Sequence, residues 1–303
     1  MSSTQIALLK KYGLPVRGLQ GQHLLIDPNV QRKIVELTGP RPGEKILEIG
    51  PGLGALTAEL LAAGAGVIAV EKDRRFCEVL EGELGGDYKG RLRVVNEDIL
   101  KTDIPSLRDR RSVILRPRSG RRISRSFGPN GPQDDVKLKI VSNLPYYITT
   151  PVLFWLIENR AHVERAVLMM QREVANRLLA QPGNKDYSRL TLGVRYYAEV
   201  HRAFDVSRNC FTPKPEVDSS VVTLDFHPAS RLPKDIDEKF LFHIIKQAFG
   251  ARRKTLLHQL AHDRRIGKSR EELGALLERL GIPEKARGEA LLLKDFIALA
   301  SSF

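Results

Sequence analysis

Three groups of residues in this chain have types and spacing suited to chemistry. In "EIGPGLG", Gly50, Gly52 and Gly54 follow a short apolar run, where a backbone without side chains turns tightly and lets a ligand approach. Glu71 closes the run "GVIAVE" about twenty residues later, a position from which a carboxylate accepts both hydroxyls of a ribose. Asp98, in "NED", closes a third run where an adenine edge would lie. Either acid alone could be a solvated loop residue. Together they sit at the carboxyl ends of consecutive strands, beside the crevice where open α/β sheets bind ligands. The glycines do not match the G-x-G-x-x-G fingerprint of pyrophosphate-bearing cofactors, so glycine turn, ribose acid and adenine acid suit S-adenosylmethionine. The third group is "SNLPYYITTP", Ser142 to Pro151, where Asn143, Pro145 and two tyrosines interrupt an apolar run. Aromatics at a strand exit are normally hidden, and here they could receive a planar ligand.

The elements that must position these residues follow a β-α-β rhythm from Lys45 onward: "KILEIG", "ALTAELLAAG", "GVIAVE", "RRFCEVLEGEL", "RLRVVNEDIL". Such alternation gives a parallel sheet with helices on both faces. "KLKIVSNLP" and "ERAVLMMQ" add two strands, each followed by a helical pattern ("TPVLFWLIENR", "REVANRLLA"). "GVRYYAEVHRAFDV" and "DSSVVTLDFHP" read as two closing strands, the last antiparallel, for seven in all. Beyond Pro228 the pattern is helical alone, with Ser269 and Glu272 at capping-box spacing and Gly281 followed by Pro283 as a stop. The expected division is a catalytic domain over 1–228 and a small helical domain over 229–303, with a long Arg-rich insertion at 108–137.

Charge is concentrated. The chain carries a formal net charge of +13. Residues 108–126 hold eight Arg against one Asp, and residues 229–303 hold fifteen Lys and Arg against ten acids, leaving the remainder close to neutral. Local excess of this kind favours a directed polyanion. Two cysteines, far apart, indicate neither a disulfide framework nor a zinc site, and no apolar stretch reaches the length of a membrane span. A soluble, cytoplasmic protein is expected. His258 and His262 stand four apart, without the Glu of H-E-x-x-H or a third ligand, so no metal is expected.

The motifs "LLKKYGL", "GQHLLID", "EIGPGLGALT", "VEKD", "NEDIL", "SNLPYYITTP", "QREVANRLLA", "YSRLTL", "CFTPKPEVDSSVV" and "FGARRKTL" make the chain resemble the ribosomal RNA adenine N6-dimethyltransferases over nearly its whole length. The resemblance implies a Rossmann-like class I S-adenosylmethionine-dependent methyltransferase, with a seven-stranded sheet and a small C-terminal all-helical domain. It implies dimethylation of the N6 amines of two adjacent adenines in a 3′-terminal hairpin loop of small-subunit rRNA. The partner would be the small ribosomal subunit or its assembly intermediate, and the enzyme a monomer. By the same comparison Asn143 and the Leu144 backbone carbonyl would hold the amine, Pro145 set the turn, and Tyr146 and Phe211 flank the base. His23, Leu25, Gly50, Gly52, Gly54, Glu71, Asp98 and Asn143 would contact the donor, and Arg252, Arg253 and Lys254 would grip RNA phosphates. His23 departs from the family, which usually has Asn there, although imidazole also offers a donor and an acceptor. The alternatives are a large-subunit rRNA adenine methyltransferase and a non-catalytic ribosome-assembly or transcription factor on the same fold.

Overall fold

The computed structural model describes residues 3–14, 23–109, 137–228, 233, 236–251 and 253–303. The chain opens with α1 (Ser3–Lys11), a two-residue strand β1 (Leu24–Leu25) and α2 (Pro28–Thr38). Alternation follows through β2 (Lys45–Ile49), α3 (Ala55–Ala62), β3 (Gly66–Glu71), α4 (Arg74–Leu84), β4 (Leu92–Asn96) and α5 (Ile104–Asp109). Next come β5 (Leu138–Asn143), α6 (Thr149–Glu158), β6 (Val163–Gln171), α7 (Arg172–Leu179), α8 (Arg189–Tyr197), β7 (Ala198–Val206), β8 (Phe211–Thr212) and β9 (Ser219–Phe226). The last helices are α9 (Glu238–Ala248), α10 (Leu256–Ala261), α11 (Arg270–Arg279) and α12 (Leu293–Ala300).

Seven strands form one sheet in the order β4-β3-β2-β5-β6-β9-β7. The pairs β3–β4, β2–β3, β2–β5 and β5–β6 are parallel, while β9 runs antiparallel to β6. Covered on both faces, the parallel strands read as nearly unbroken apolar runs, and Ile46, Leu47, Ile140, Val141 and Val167 are fully buried. Strand order reverses between β2 and β5, which places a crevice at their carboxyl ends. A separate two-stranded ribbon pairs β1 with β8, setting Leu25 opposite Phe211.

Two compact units emerge: Met1–Ala175 with His201–Phe226, and Asn176–Val200 with His227–Phe303. The expected boundary after residue 228 differs from this grouping at Asn176–Val200, whose helix α8 lies in the second unit. The reason is aromatic. Tyr196 and Tyr197, expected within a strand, end α8 instead, with both rings buried against Phe242 at centroid distances of 5.5 and 5.9 Å. Tertiary packing outweighs the strand preference of tyrosine. Helix α2 has a start readable in the sequence. Asp27 caps it by accepting from the Asn29 and Val30 N–H groups, with Pro28 in the first turn. In the second unit Ser269 and Glu272 form the expected reciprocal capping box of α11. Most of the Arg-rich insertion, 110–136, lies outside the described residues.

Candidate active site

The turn after β2 is built from glycine geometry. Gly50 and Gly52 hold φ of 64° and 57°, in the left-handed region that side chains disfavour. The Gly50 N–H donates to the Val70 carbonyl, and the Gly52 N–H donates to Glu71 Oε2 at 3.1 Å. Glu71 Oε1 accepts from the Asp73 N–H at 2.8 Å, so backbone grips the carboxylate from two sides. Burial pushes the Glu71 carboxyl up, and these two N–H groups oppose the shift. Gly54 is different. It begins α3 and does not line the cavity; a Cβ there would meet Leu80 Cδ2 at 2.6 Å. Its glycine lets α3 and α4 approach, a packing role beside the cavity.

Asp98 opens the turn after β4. Its Oδ1 accepts from the Leu100 N–H and its Oδ2 pairs with Lys72 Nζ at 3.0 Å. Burial works to raise this carboxyl, but Lys72, the Leu100 N–H and Lys101 together hold it below the ordinary range. A third acid, Glu48, lines the same cavity at 2 % exposure. Burial pushes its carboxyl up to about 8, although the Thr57 hydroxyl donates to Oε2 at 2.6 Å.

On the β5 side the carboxamide of Asn143 is half committed. Its Nδ2 donates to the His23 carbonyl at 3.2 Å, which leaves Oδ1 as an acceptor. The Leu144 N–H donates to the Met169 carbonyl at 3.0 Å, and its side chain is buried, so the backbone at this point is anchored to β6. Pro145 continues the turn, its carbonyl accepting from the Ile148 N–H. The Tyr146 hydroxyl meets Ser219 Oγ at 3.1 Å, and its ring lies 5.4 Å from the His23 ring. The His23 Nδ1–H donates to the Pro213 carbonyl at 2.7 Å, so in the neutral ring the lone pair is on Nε2. Phe211 borders the cavity but is 96 % hidden within the core cluster that holds Leu25 and Val206, as its 4 % exposure shows.

These residues converge on a cavity of about 630 Å³ in the first unit. His23, Leu25, Gly50, Gly52, Glu71, Asp98, Asn143, Leu144, Pro145, Tyr146 and Phe211 all border it. Gln5, Glu48, Lys72 and Leu100 border it too and were not anticipated. Lys72 was legible in principle, because the β3–β4 register sets Glu71 opposite Asn96 and so brings the next residues of both strands together. Gln5 gave no signal. Its Nε2 donates to the Leu25 carbonyl at 3.0 Å, and Gln31 Nε2 donates to the same oxygen at 2.8 Å. In the second unit Arg253 and Lys254 are exposed just before α10, whereas Arg252 lies outside the described residues. The His258 and His262 rings lie 4.3 Å apart, tilted by 40°, and the His262 Nδ1–H donates to the His258 carbonyl.

Sheet order and a carboxyl-edge cavity lined by the glycine turn after β2 and by Glu71 at the end of β3 define a Rossmann-like methyltransferase fold. The Ribosomal RNA adenine dimethylase family profile matches residues 16–298. Two relatives, from Bacillus cytotoxicus and a Geobacillus species, each called Ribosomal RNA small subunit methyltransferase A, are 36 % identical over 97 % of this chain and 94 % of theirs. A dimethyladenosine transferase from Plasmodium falciparum superposes with a TM-score of 0.69 at 29 % identity, covering 91 % of this chain and 96 % of that one. A 23S rRNA methyltransferase shares the fold at a TM-score of 0.62 and 23 % identity, covering 90 % and 96 % of the two chains. The chain belongs to the ribosomal RNA adenine dimethylase family and is an S-adenosylmethionine-dependent rRNA adenine methyltransferase. Among the described residues no helix is long and apolar enough to cross a membrane.

Proposed function

We propose that the enzyme dimethylates N6 of two adjacent adenines in a 3′-terminal hairpin loop of small-subunit rRNA, acting as a monomer on the cytoplasmic small subunit or its precursor. The observation that carries this reading is the half-committed Asn143, whose Nδ2 is tied to the His23 carbonyl while Oδ1 stays available at the cavity wall. The small-subunit assignment draws support from the names of the relatives at 36 % identity. The 23S enzyme, at 23 %, supports the fold alone.

The residues present fit the methyl donor. Glu71 retains lone pairs beyond the two used by Gly52 and Asp73, enough to accept two ribose hydroxyls. Asp98 would accept from the adenine amine, sharing its carboxylate with Lys72, and the positive-φ Gly50–Gly52 turn would admit the chain of the donor. His23 and Leu25 would border its methionyl end. When bound, S-adenosylmethionine supplies a methyl group on a sulfonium, already activated toward a neutral amine.

The protein's own task is positioning. An adenine N6 amine is a weak nucleophile because its lone pair is delocalised into the ring. Asn143 Oδ1 and the Leu144 carbonyl would accept its two hydrogens and turn the lone pair toward the methyl group, a fixed-dipole contribution that needs no reorganisation. Tyr146 would stack on the extruded base, contributing about 1–3 kcal/mol. Phe211 would serve from below as a packed floor. Arg253 and Lys254, with Arg252, would hold phosphates.

Incubation with labelled donor and undermethylated small subunits, followed by mapping of modified bases, tests the reading. Label on two adjacent small-subunit adenines is expected. Label on large-subunit RNA would favour the rival substrate, and RNA binding without transfer would favour an assembly factor.

A further inference from the structure

Helix α6 is apolar nearly all round: in "TTPVLFWLIE" only the two Thr and Glu158 are polar. Its inner face is well used. Val152, Leu153, Trp155 and Leu156 are buried, and Trp155 Nε1 donates to the Thr102 carbonyl at 2.7 Å. The outer face is not. Pro151 and Phe154 are exposed, one helical turn apart, and Phe154 shows 51 % of its surface. Tyr147, on the turn just ahead of the helix, is 53 % exposed, and Leu100, on the turn that packs beside α6, is 37 % exposed. A helix this apolar is normally covered on every side, so its outer face is short of a partner.

We propose that Tyr147 and Phe154, with Pro151 and Leu100, form a stacking platform for the nucleobase next to the target adenine in the RNA chain. The inference deepens the function proposed above and rests on the target base entering beside Tyr146. Continuity is the first support. Tyr147 and Leu100 border the cavity itself, so the platform begins where the base pocket ends. Size is the second: a few side chains suit one or two bases, whereas a stable protein interface takes about 800 Å² from each partner. Charge is the third. Lys101, exposed beside Leu100, and Lys72 at the rim supply cations on that side, while exposed Glu158 closes the far end of the helix face to phosphate. An extruded base leaves its neighbour unstacked, and an aromatic platform replaces that lost stacking.

The test uses the full-length enzyme and undermethylated small subunits, with Phe154→Ala, Phe154→Leu and Phe154→Trp compared for KM, kcat, donor affinity and thermal midpoint. Expected is a KM for subunits about tenfold higher in F154A and F154L, restored by F154W, with donor affinity and midpoint unchanged. An F154A KM equal to wild type overturns the proposal. So does restoration by Leu as complete as by Trp, which would assign the patch to an apolar protein contact. Wild-type enzyme that transfers no methyl to the subunits defeats the substrate reading and this inference with it. Normal wild-type turnover with an unchanged F154A KM defeats this inference alone.

Discussion

The two walls of the cavity are built differently. On the β3–β4 side, charged groups are locked before any ligand arrives: Glu71 by two backbone N–H groups, Asp98 by Lys72 and the Leu100 N–H. On the β5 side the chemistry rests on one carboxamide and on rings whose exposure rises outward, from Phe211 in the core to Tyr146 and then to Tyr147. The first wall suits a ligand of constant shape. The second suits a base that must be pulled from a larger RNA and released again as a bulkier methylated product.

If that division holds, substitutions on the two walls separate by readout. Asn143→Ala has the largest expected effect: kcat falls at least about a hundredfold, as for loss of one fixed dipole at a reacting centre, while RNA binding persists. Single-turnover transfer with a parallel RNA-binding assay checks it, and normal turnover would remove Asn143 from the mechanism. Glu71→Gln comes next. Donor affinity should fall by about ten- to a hundredfold, the scale of a hydrogen bond to a charged group, with RNA affinity retained. Calorimetric titration of the donor measures both its size and its confinement to one wall.

Glu48 predicts a pH effect. Its proton is held more tightly in the folded chain than at the ordinary 4.5, so its contribution to stability is fullest at acid pH, falls between 4.5 and about 8, and is flat above. Glu48→Gln should therefore gain thermal midpoint relative to wild type, progressively from pH 5 to pH 8, by several degrees on the scale of about 1.4 kcal/mol per pH unit as an upper bound. A constant offset across that range would contradict it. Charge reversal at Arg253 and Lys254 should weaken RNA binding and flatten its salt dependence without touching donor affinity, checked by a salt titration. Smallest is Lys72→Met, expected to change donor affinity only a few-fold, because the Lys72–Asp98 pair is largely solvated on the lysine side.

Much of the β3–β4 wall was legible, because glycine spacing and strand-terminal acids are local signals. The packing of Gly54 against Leu80 was not legible, since closeness between helices leaves no mark in a glycine motif. The sheet strands were likewise legible in the sequence, except that the expected strand beginning at Gly193 starts only at Ala198, its first five residues completing α8. The β5 wall was legible as a motif but not as an assembly. A two-residue strand has no periodicity, so the pairing of β1 with β8 and the arrival of Gln5 at the cavity depend on contacts far apart in sequence.

That short strand has a mechanical consequence. The Leu25 carbonyl takes Gln5 and Gln31, Leu25 itself faces Phe211, and the neighbouring His23 carbonyl holds Asn143. His23 and Leu25 thus act as a keystone through which α1 and α2 are yoked to Asn143 and Phe211. Loosening α1 should therefore disturb both sides of the cavity at once, the His23–Leu25 edge directly and Asn143 through the His23 carbonyl.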